Sequence, residues 1–238
     1  MTTSNDNGLL ADHTALAAGL PGAGAGWIDA LRADGAKRFA GLGLPTRKVE
    51  EWKYTDLSAL ARSRFAPCCG AAPAHAKPEI PAPLVKDGPQ AVFVNGRFDP
   101  ELSSLGGAPE GITALPLAEA IAQMPKLLES YMGRVAELGR KSLVALNTAW
   151  LADGFVLHLA KDVRLTRPLE LVFWGDSGSD GERSAWHPRH LIVLDPGASA
   201  TLLERHIGRT GGHFANSVTE IAAATGAKAA LAATGLGD

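Results

Sequence analysis

The sequence predicts a mostly β protein with a helical N-terminal region and an incomplete parallel β-helix as its core. Three observations lead there. An apolar stripe of helical period lies near the N-terminus, a β-rich texture with turn glycines runs from Leu143 onward, and a weak repeat marks the last part of the chain. Aligning Gly197-Ala198 with Gly226-Ala227 (226 − 197 = 29 residues) brings Ile192 onto Ile221 and Leu202 onto Leu231. Short strands separated by glycine turns, with no helix between the repeats, suggest strands stacked in coils. A β-sandwich is the alternative that the pattern leaves open.

Residues 1–65 read as the helical region. Trp27, Leu31, Gly35 and Phe39 recur every fourth residue and Ile28 widens the stripe, until Gly41, Gly43 and Pro45 stop the helix. A second, short helix is predicted to start near Thr55 or Asp56, both good N-cap residues, and to carry Leu57 and Leu60. Residues 66–90 are rich in Pro and Ala without periodicity, which predicts an extended linker. Residues 91–140 mix the two textures. AVFVNGRF holds Asn95-Gly96, a strong hairpin signal. Leu117 to Leu138 reads as helix, with Leu117, Ile121, Leu128 and Val135 near one side and Pro125 and Gly133 dividing it. Residues 141–238 form the predicted partial β-helix, in which Phe155, Leu157 and Leu159 share one face and Val163 and Leu165 the next.

Bulk composition narrows the function classes. The chain has 238 residues, enough for one large domain or a core with an appendage. With 46% hydrophobic and 20% charged residues it reads as soluble and globular, and a net charge of −2 gives no general pull toward nucleic acid or anionic lipid. No apolar run approaches the roughly 20 residues that span a bilayer. The N-terminus does not read as a secretory or transit signal, and the two adjacent cysteines, Cys68 and Cys69, form no disulfide framework, so the expected compartment is the cytoplasm.

Candidate chemistry is sparse. The glycine cluster at 19–26 has Trp27 where a dinucleotide fingerprint needs its third glycine, and no strand precedes it. His187 and His190 stand three apart around Pro188-Arg189, a spacing that puts them on opposite faces of a strand, so satisfied strand histidines are expected rather than metal ligands. Cys68 and Cys69 cannot surround a cluster by themselves. Glu204, Glu220 and Asp195 are expected to be solvated acids at strand edges, although paired carboxylates would suit a β-helical carbohydrate-active enzyme. The densest charged and aromatic stretch is TRKVEEWKYTDL. Glu50, Glu51, Lys53 and Asp56 suit local ion pairs, and Trp52 and Tyr54 suit packing anchors, so the box reads as a structural junction.

Pro45-Thr46 followed by Glu50-Glu51-Trp52-Lys53-Tyr54-Thr55-Asp56-Leu57 resembles the SufB/SufD family of the SUF iron–sulfur cluster assembly system, on its SufD side. Three further segments resemble the family in the same order. They are Val92 to Phe98 around Asn95-Gly96, then Leu146-Asn147-Thr148-Ala149-Trp150 with Asp153-Gly154, then Pro188-Arg189-His190 through Gly197-Ala198 to Glu204. The resemblance implies a right-handed parallel β-helix between helical regions and a non-catalytic scaffold. It also implies partnership with SufB and with the ATPase SufC, and an iron–sulfur cluster held transiently at the SufB interface. The likeness stops near residue 228, where KAALAATGLGD stands in place of further coils, so a truncated or frameshifted member, a fragment, or an interaction module without a cluster role is expected. The family's cluster-interface and SufC-binding residues then lie beyond residue 238, and this chain alone binds no cofactor or metal. A coil left uncapped in mid-stack should make the isolated chain marginally stable, or lead it to pair its open end with a partner.

Overall fold

The computed structural model describes residues 8–67, 78–106, 109–136, 139, 141–175, 183–208 and 212–237. Helices come first: α1 (His13–Leu16), α2 (Gly26–Leu42) and α3 (Ser58–Arg62). A mixed segment follows with β1 (Ala66–Pro67), β2 (Gln90–Val94), β3 (Arg97–Ser104), β4 (Ile112–Pro116), α4 (Leu117–Gln123), α5 (Pro125–Tyr131) and α6 (Ser142–Trp150). The remainder is strand: β5 (Gly154–Leu159), β6 (Leu169–Gly175), β7 (Ser184–Trp186), β8 (Arg189–Leu194), β9 (Ser199–Gly208), β10 (His213–Ala215), β11 (Val218–Ala223) and β12 (Lys228–Gly237).

The chain returns to the same sheet every third strand. β5, β8 and β11 run parallel in one sheet, β6, β9 and β12 in a second, and β7 and β10 in a third. The last turn of this winding advances by one constant offset in all three sheets. Ile192 faces Ile221, Leu202 faces Leu231 and Ser184 faces His213, each pair 29 residues apart. The repeat seen in sequence is therefore the pairing register itself. Antiparallel strands flank the other side: β3 folds back on β2, and β4 runs against β5.

Alternation along the strands sorts the side chains. Phe155, Leu157 and Leu159 point inward with Leu169, Leu171, Ile192, Leu194 and Leu202, and Val163 and Leu165 close the same core. Phe93, Phe173 and His206 hold one register on β2, β6 and β9 and stack at ring-centroid distances of 5.3 and 4.8 Å. Outward residues Val156, Leu191 and Val193 meet Ile28, Leu117, Ile121 and Leu128, so the helices cover the first sheet.

Several expectations change. The residues after Leu143 do not begin a β texture: 142–150 form α6, a helix buried along almost its whole length, because Ala145, Leu146, Ala149 and Trp150 sit between α2 and the strands. On α2 the buried face is Ile28, Arg32, Gly35 and Phe39, so the stripe is rotated by one position from Trp27 and Leu31, which are only partly buried. The rotation serves Arg32, whose guanidinium donates to the carbonyls of Pro21 (2.6 Å) and Leu151 (2.8 Å). Pro125 divides the 117–131 helix as expected, but Val135 is 45% exposed rather than on the apolar face. Part of the linker, 68–77 with Cys68 and Cys69, lies outside the described residues. The rest is extended yet fastened, since Leu84 N–H donates to Glu170 at 3.0 Å, and Arg205 and Arg167 donate to the carbonyls of Ala82 and Asp87.

Two tight passages fix the winding. Asn95 and Gly96 have φ of 48° and 77°, the left-handed pair of a two-residue hairpin, and the turn presses on Trp186. Gly154, at φ 152°, runs under β8, where an added Cβ would overlap the Arg189 carbonyl. Gly154→Ala should cost ~3 kcal/mol of stability, read as a lower urea midpoint, through backbone strain and displaced β5–β8 pairing. Gly235→Ala, with nothing within 4 Å of the new atom, should stay within about 0.5 kcal/mol.

Candidate functional site

Three of the four resemblance-bearing segments, 92–98, 146–154 and 188–204, are far apart in sequence and contribute Phe98, Asn147, Asp153, Pro188 and Arg189 to one buried polar junction. Helix α6 brings Asn147 and Thr148 into the interior, both fully buried. A buried amide must find partners. Asn147 Nδ2 donates to the carbonyls of Pro188 and Asn216, each at 2.7 Å, and its Oδ1 accepts from Arg189 Nη1 at 3.0 Å. Arg189 Nη1 also reaches Thr148 Oγ1 at 3.2 Å, while its Nε donates to Glu220 Oε1 at 2.8 Å. Both members of this ion pair are fully shielded, with Nη2 2.6 Å from the same carboxylate oxygen. Burial pulls the Arg189 pKa down from its usual value and Glu220 opposes the shift.

Glu220 takes further donors from the opposite side. The N–H of Gly133 (2.9 Å), of Val135 (3.1 Å) and of Ala136 (2.9 Å) all point at its carboxylate. Asp153 completes the junction toward the hairpin: its carboxylate accepts from Phe98 N–H (2.8 Å) and Gly154 N–H (2.7 Å), and its carbonyl accepts from Arg189 N–H. Burial raises the Asp153 pKa, and these two N–H groups work against the rise.

A second cluster lies inside the winding. His190 is sandwiched among Phe93 and Phe173, and neither of its ring nitrogens has a hydrogen-bond partner among the described residues. Burial holds its pKa down to about 4. The expectation of satisfied strand histidines thus fails at His190, because its register places it within an aromatic column. Glu204 accepts from Thr219 Oγ1 at 3.0 Å and lies 3.6 Å from His206 Nε2. Burial pushes the Glu204 pKa up, but His206, His190 and Thr219 together outweigh it and leave the carboxyl below its usual range. His187 stacks on Trp150 and meets Asn216, and burial holds its pKa down to about 3.

The carboxylates expected to be solvated are dispersed and mostly enclosed. Glu220 faces the helices, Glu204 faces the interior, and Asp195, beside His158 at 3.2 Å, is half-buried. They share no cleft. Gly197 forms the turn after β8, against Asp162. The charged box lies outside all of this: Pro45 and Trp52 are half-buried, while Glu50, Glu51, Lys53 and Asp56 are exposed. Tyr54 is 88% exposed, so it anchors nothing among the described residues. The local ion pair is present, Lys53 Nζ to Glu50 Oε1 at 3.0 Å, and Asp56 accepts from Ser58 N–H at the start of α3. Sequence reading missed Asn216, whose amide reaches Leu143 and His187, and the buried pair of Arg205 with Glu170. Arg205 and Glu170 are polar residues at covered registers of β9 and β6, which period-2 counting along the strands would have flagged, whereas Asn216 lies between β10 and β11, where no such count applies.

The junction defines a class: a winding of parallel strands, locked to a helical region by a shielded Arg–Glu–Asn network whose charges are already spent on one another. Family comparison agrees with that class. Residues 20–171 match the SufBD protein N-terminal region, and residues 176–234 match the SUF system FeS cluster assembly, SufBD core domain. This chain belongs to the SufBD family. It is similar to an iron–sulfur cluster assembly SufBD family protein of Synechocystis sp., 29% identical over 182 residues, covering 74% of this chain and 38% of the relative. It is also similar to the iron–sulfur cluster assembly protein SufD of Escherichia coli, 28% identical over 193 residues, covering 76% of this chain and 42% of the relative. A SufBD family protein of Arabidopsis thaliana, ABCI9, matches over 128 residues at 30%. The chain spans about two-fifths of the length of the first two. No helix among the described residues is long and apolar enough to cross a membrane.

The buried histidines set a pH dependence. A histidine that takes up its proton near pH 6.5 when unfolded, but only near 4 when folded, leaves the unfolded chain holding more protons between those values. Stability therefore falls as pH drops through that window, by about 1.4 kcal/mol per pH unit for each such group. His190→Leu should flatten the fall in chemical-denaturation midpoint between pH 6.5 and pH 4, with the His187 share remaining. An unchanged slope would show that His190 is not held neutral.

Proposed function

We propose that this chain is the helical region and first coils of a non-catalytic scaffold subunit in iron–sulfur cluster assembly, acting in the cytoplasm. The observation that carries this reading is the family match, which covers both parts of the chain in the family's order. The meeting of three of the four resemblance-bearing segments at one junction supports it. The three-sheet parallel winding is read as a right-handed parallel β-helix, the architecture that a stackable, interface-forming scaffold requires. SufB is the partner along the strands, and the ATPase SufC is a partner of the longer protein. The iron–sulfur cluster is cargo, held transiently where the two scaffold subunits meet, and it takes no ligand from residues 1–238.

The scaffold role accords with the chemistry of the junction. Arg189, Glu220 and Asn147 are bonded to one another and to surrounding backbone groups and are closed to solvent, an arrangement that fixes geometry.

Co-purification decides the reading. The 238-residue chain and a version extended to the length of its relatives are each expressed with SufB and SufC. The extended version is expected to retain both, and the shorter chain to retain SufB without SufC. Failure of both to retain SufB would overturn the assignment, and binding of oligosaccharides by either would favour a carbohydrate-active role instead.

A further inference from the structure

Between α2 and α5 lies an open cleft of about 740 Å³ whose lining includes Trp27, Leu31, Met132, Gly133 and Arg134. Part of one wall is Gly133 and Arg134, which begin the short segment 133–136 that follows α5. This segment is held in an unusual way. Arg134 and Val135 are exposed, Val135 by 45%, and the Arg134 side chain donates locally to the Glu129 carbonyl. Its backbone is bonded inward instead, through the N–H groups of Gly133, Val135 and Ala136 to the Glu220 carboxylate on β11. On its other side Gly133 rests against Leu31 of α2, closely enough that an added Cβ would come within 2.7 Å of the Leu31 side chain.

We propose that residues 133–136 are a strap that holds one wall of this cleft in place and that Glu220 is its clasp, so that β11 and the helical cleft switch together. The physical basis is that Glu220 has two independent sets of partners. If the strap lifts, its N–H groups pass to water, and Glu220 keeps its ion pair with Arg189 at 2.6 Å. No buried charge is stranded in either state, so the open form avoids the penalty that usually forbids breaking such a contact. Any displacement of β11 withdraws the clasp and frees the cleft wall. Conversely, a molecule that wedges the cleft open pulls on β11 through the same carboxylate.

The experiment uses the full 238-residue chain and the variant Glu220→Asp. Aspartate preserves the charge that Arg189 requires but draws the carboxylate back by about 1.5 Å, one carbon–carbon bond. Amide hydrogen exchange is followed by peptide mass spectrometry, and the buried thioether of Met132, 3% exposed, reports on the cleft through hydroxyl-radical oxidation. The expected result is exchange faster by roughly tenfold or more in the peptide spanning 131–136, with β8 and β9 unchanged and Met132 more readily oxidised. Unchanged exchange at 131–136 would overturn the proposal. So would an equal rise throughout the strands, since the clasp would then be an inseparable part of the core. Loss of strap protection without added Met132 oxidation would overturn it too, because the strap would not be the wall that shields the cleft side of Met132.

Discussion

The carboxylate of Glu220 is the point on which the rest of the structure turns. It occupies the outward register that Val156 and Leu191 hold on the two neighbouring strands, where an apolar residue would extend the surface covered by the helices. A charge there is tolerable only if several donors converge on it. Arg189 supplies two nitrogens from the adjacent strand, and the segment after α5 supplies three backbone N–H groups. Arg189 in turn engages Asn147 and Thr148 on α6. One ion pair thus ties a strand to its neighbour, to the buried helix and to the segment beyond α5. Arg189 meets all of these partners only in the observed register, whereas the backbone N–H groups after α5 have water as an alternative.

The interior follows a different rule. It is apolar where Leu157, Leu171, Ile192 and Leu202 meet, and grades into the aromatic column of Phe93, Phe173 and His206. Flat rings at a shared register stack without the rotamer freedom of aliphatic chains, so the column adds directional order to non-directional burial. His190 leans against that column as a neutral ring. Burial acts to raise the pKa of Glu204 beside it, but the carboxyl is held below the usual range chiefly by His206, with His190 and the hydroxyl that Thr219 donates from β11 adding to the effect.

Much of the fold was legible because strand stacking writes itself into spacing. The 29-residue repeat, the Asn95-Gly96 turn and the division at Pro125 each depend on local chemistry that a short window contains. What could not be read depends on partners distant in sequence. LVALNTAW looks like a strand piece to a period-2 reader, yet it is a helix, because an apolar stretch enclosed on all sides carries no periodicity to distinguish the two. Arg32 could not be placed on the buried face without knowing that the Leu151 carbonyl, 119 residues away, awaits it. The site divides the same way. Asn147, Asp153, Gly154 and Arg189 were singled out by resemblance, but their convergence arises only when three strand registers are set. Tyr54 was misjudged because aromatic character predicts burial somewhere, and nothing in a single chain says that the covering surface must be its own.

Why the junction is polar at all follows from the risk inherent in stacked parallel strands. A rung of alternating apolar residues pairs almost as well when displaced by two positions, since the same face still points inward. Displacement by one is forbidden by burial, but displacement by two is resisted only by differences in side-chain volume. The Arg189–Glu220 pair removes that ambiguity. Sliding β11 by two residues would carry Glu220 about 7 Å along β8, beyond the reach of both Arg189 and the N–H groups after α5, leaving buried charges without partners. A hydrophobic replacement of equal volume could match the pair in stability while leaving that choice of register much less sharply defined. The polar junction is therefore best understood as the element that selects one register, with apolar burial supplying the cohesion that the selected register then holds in place.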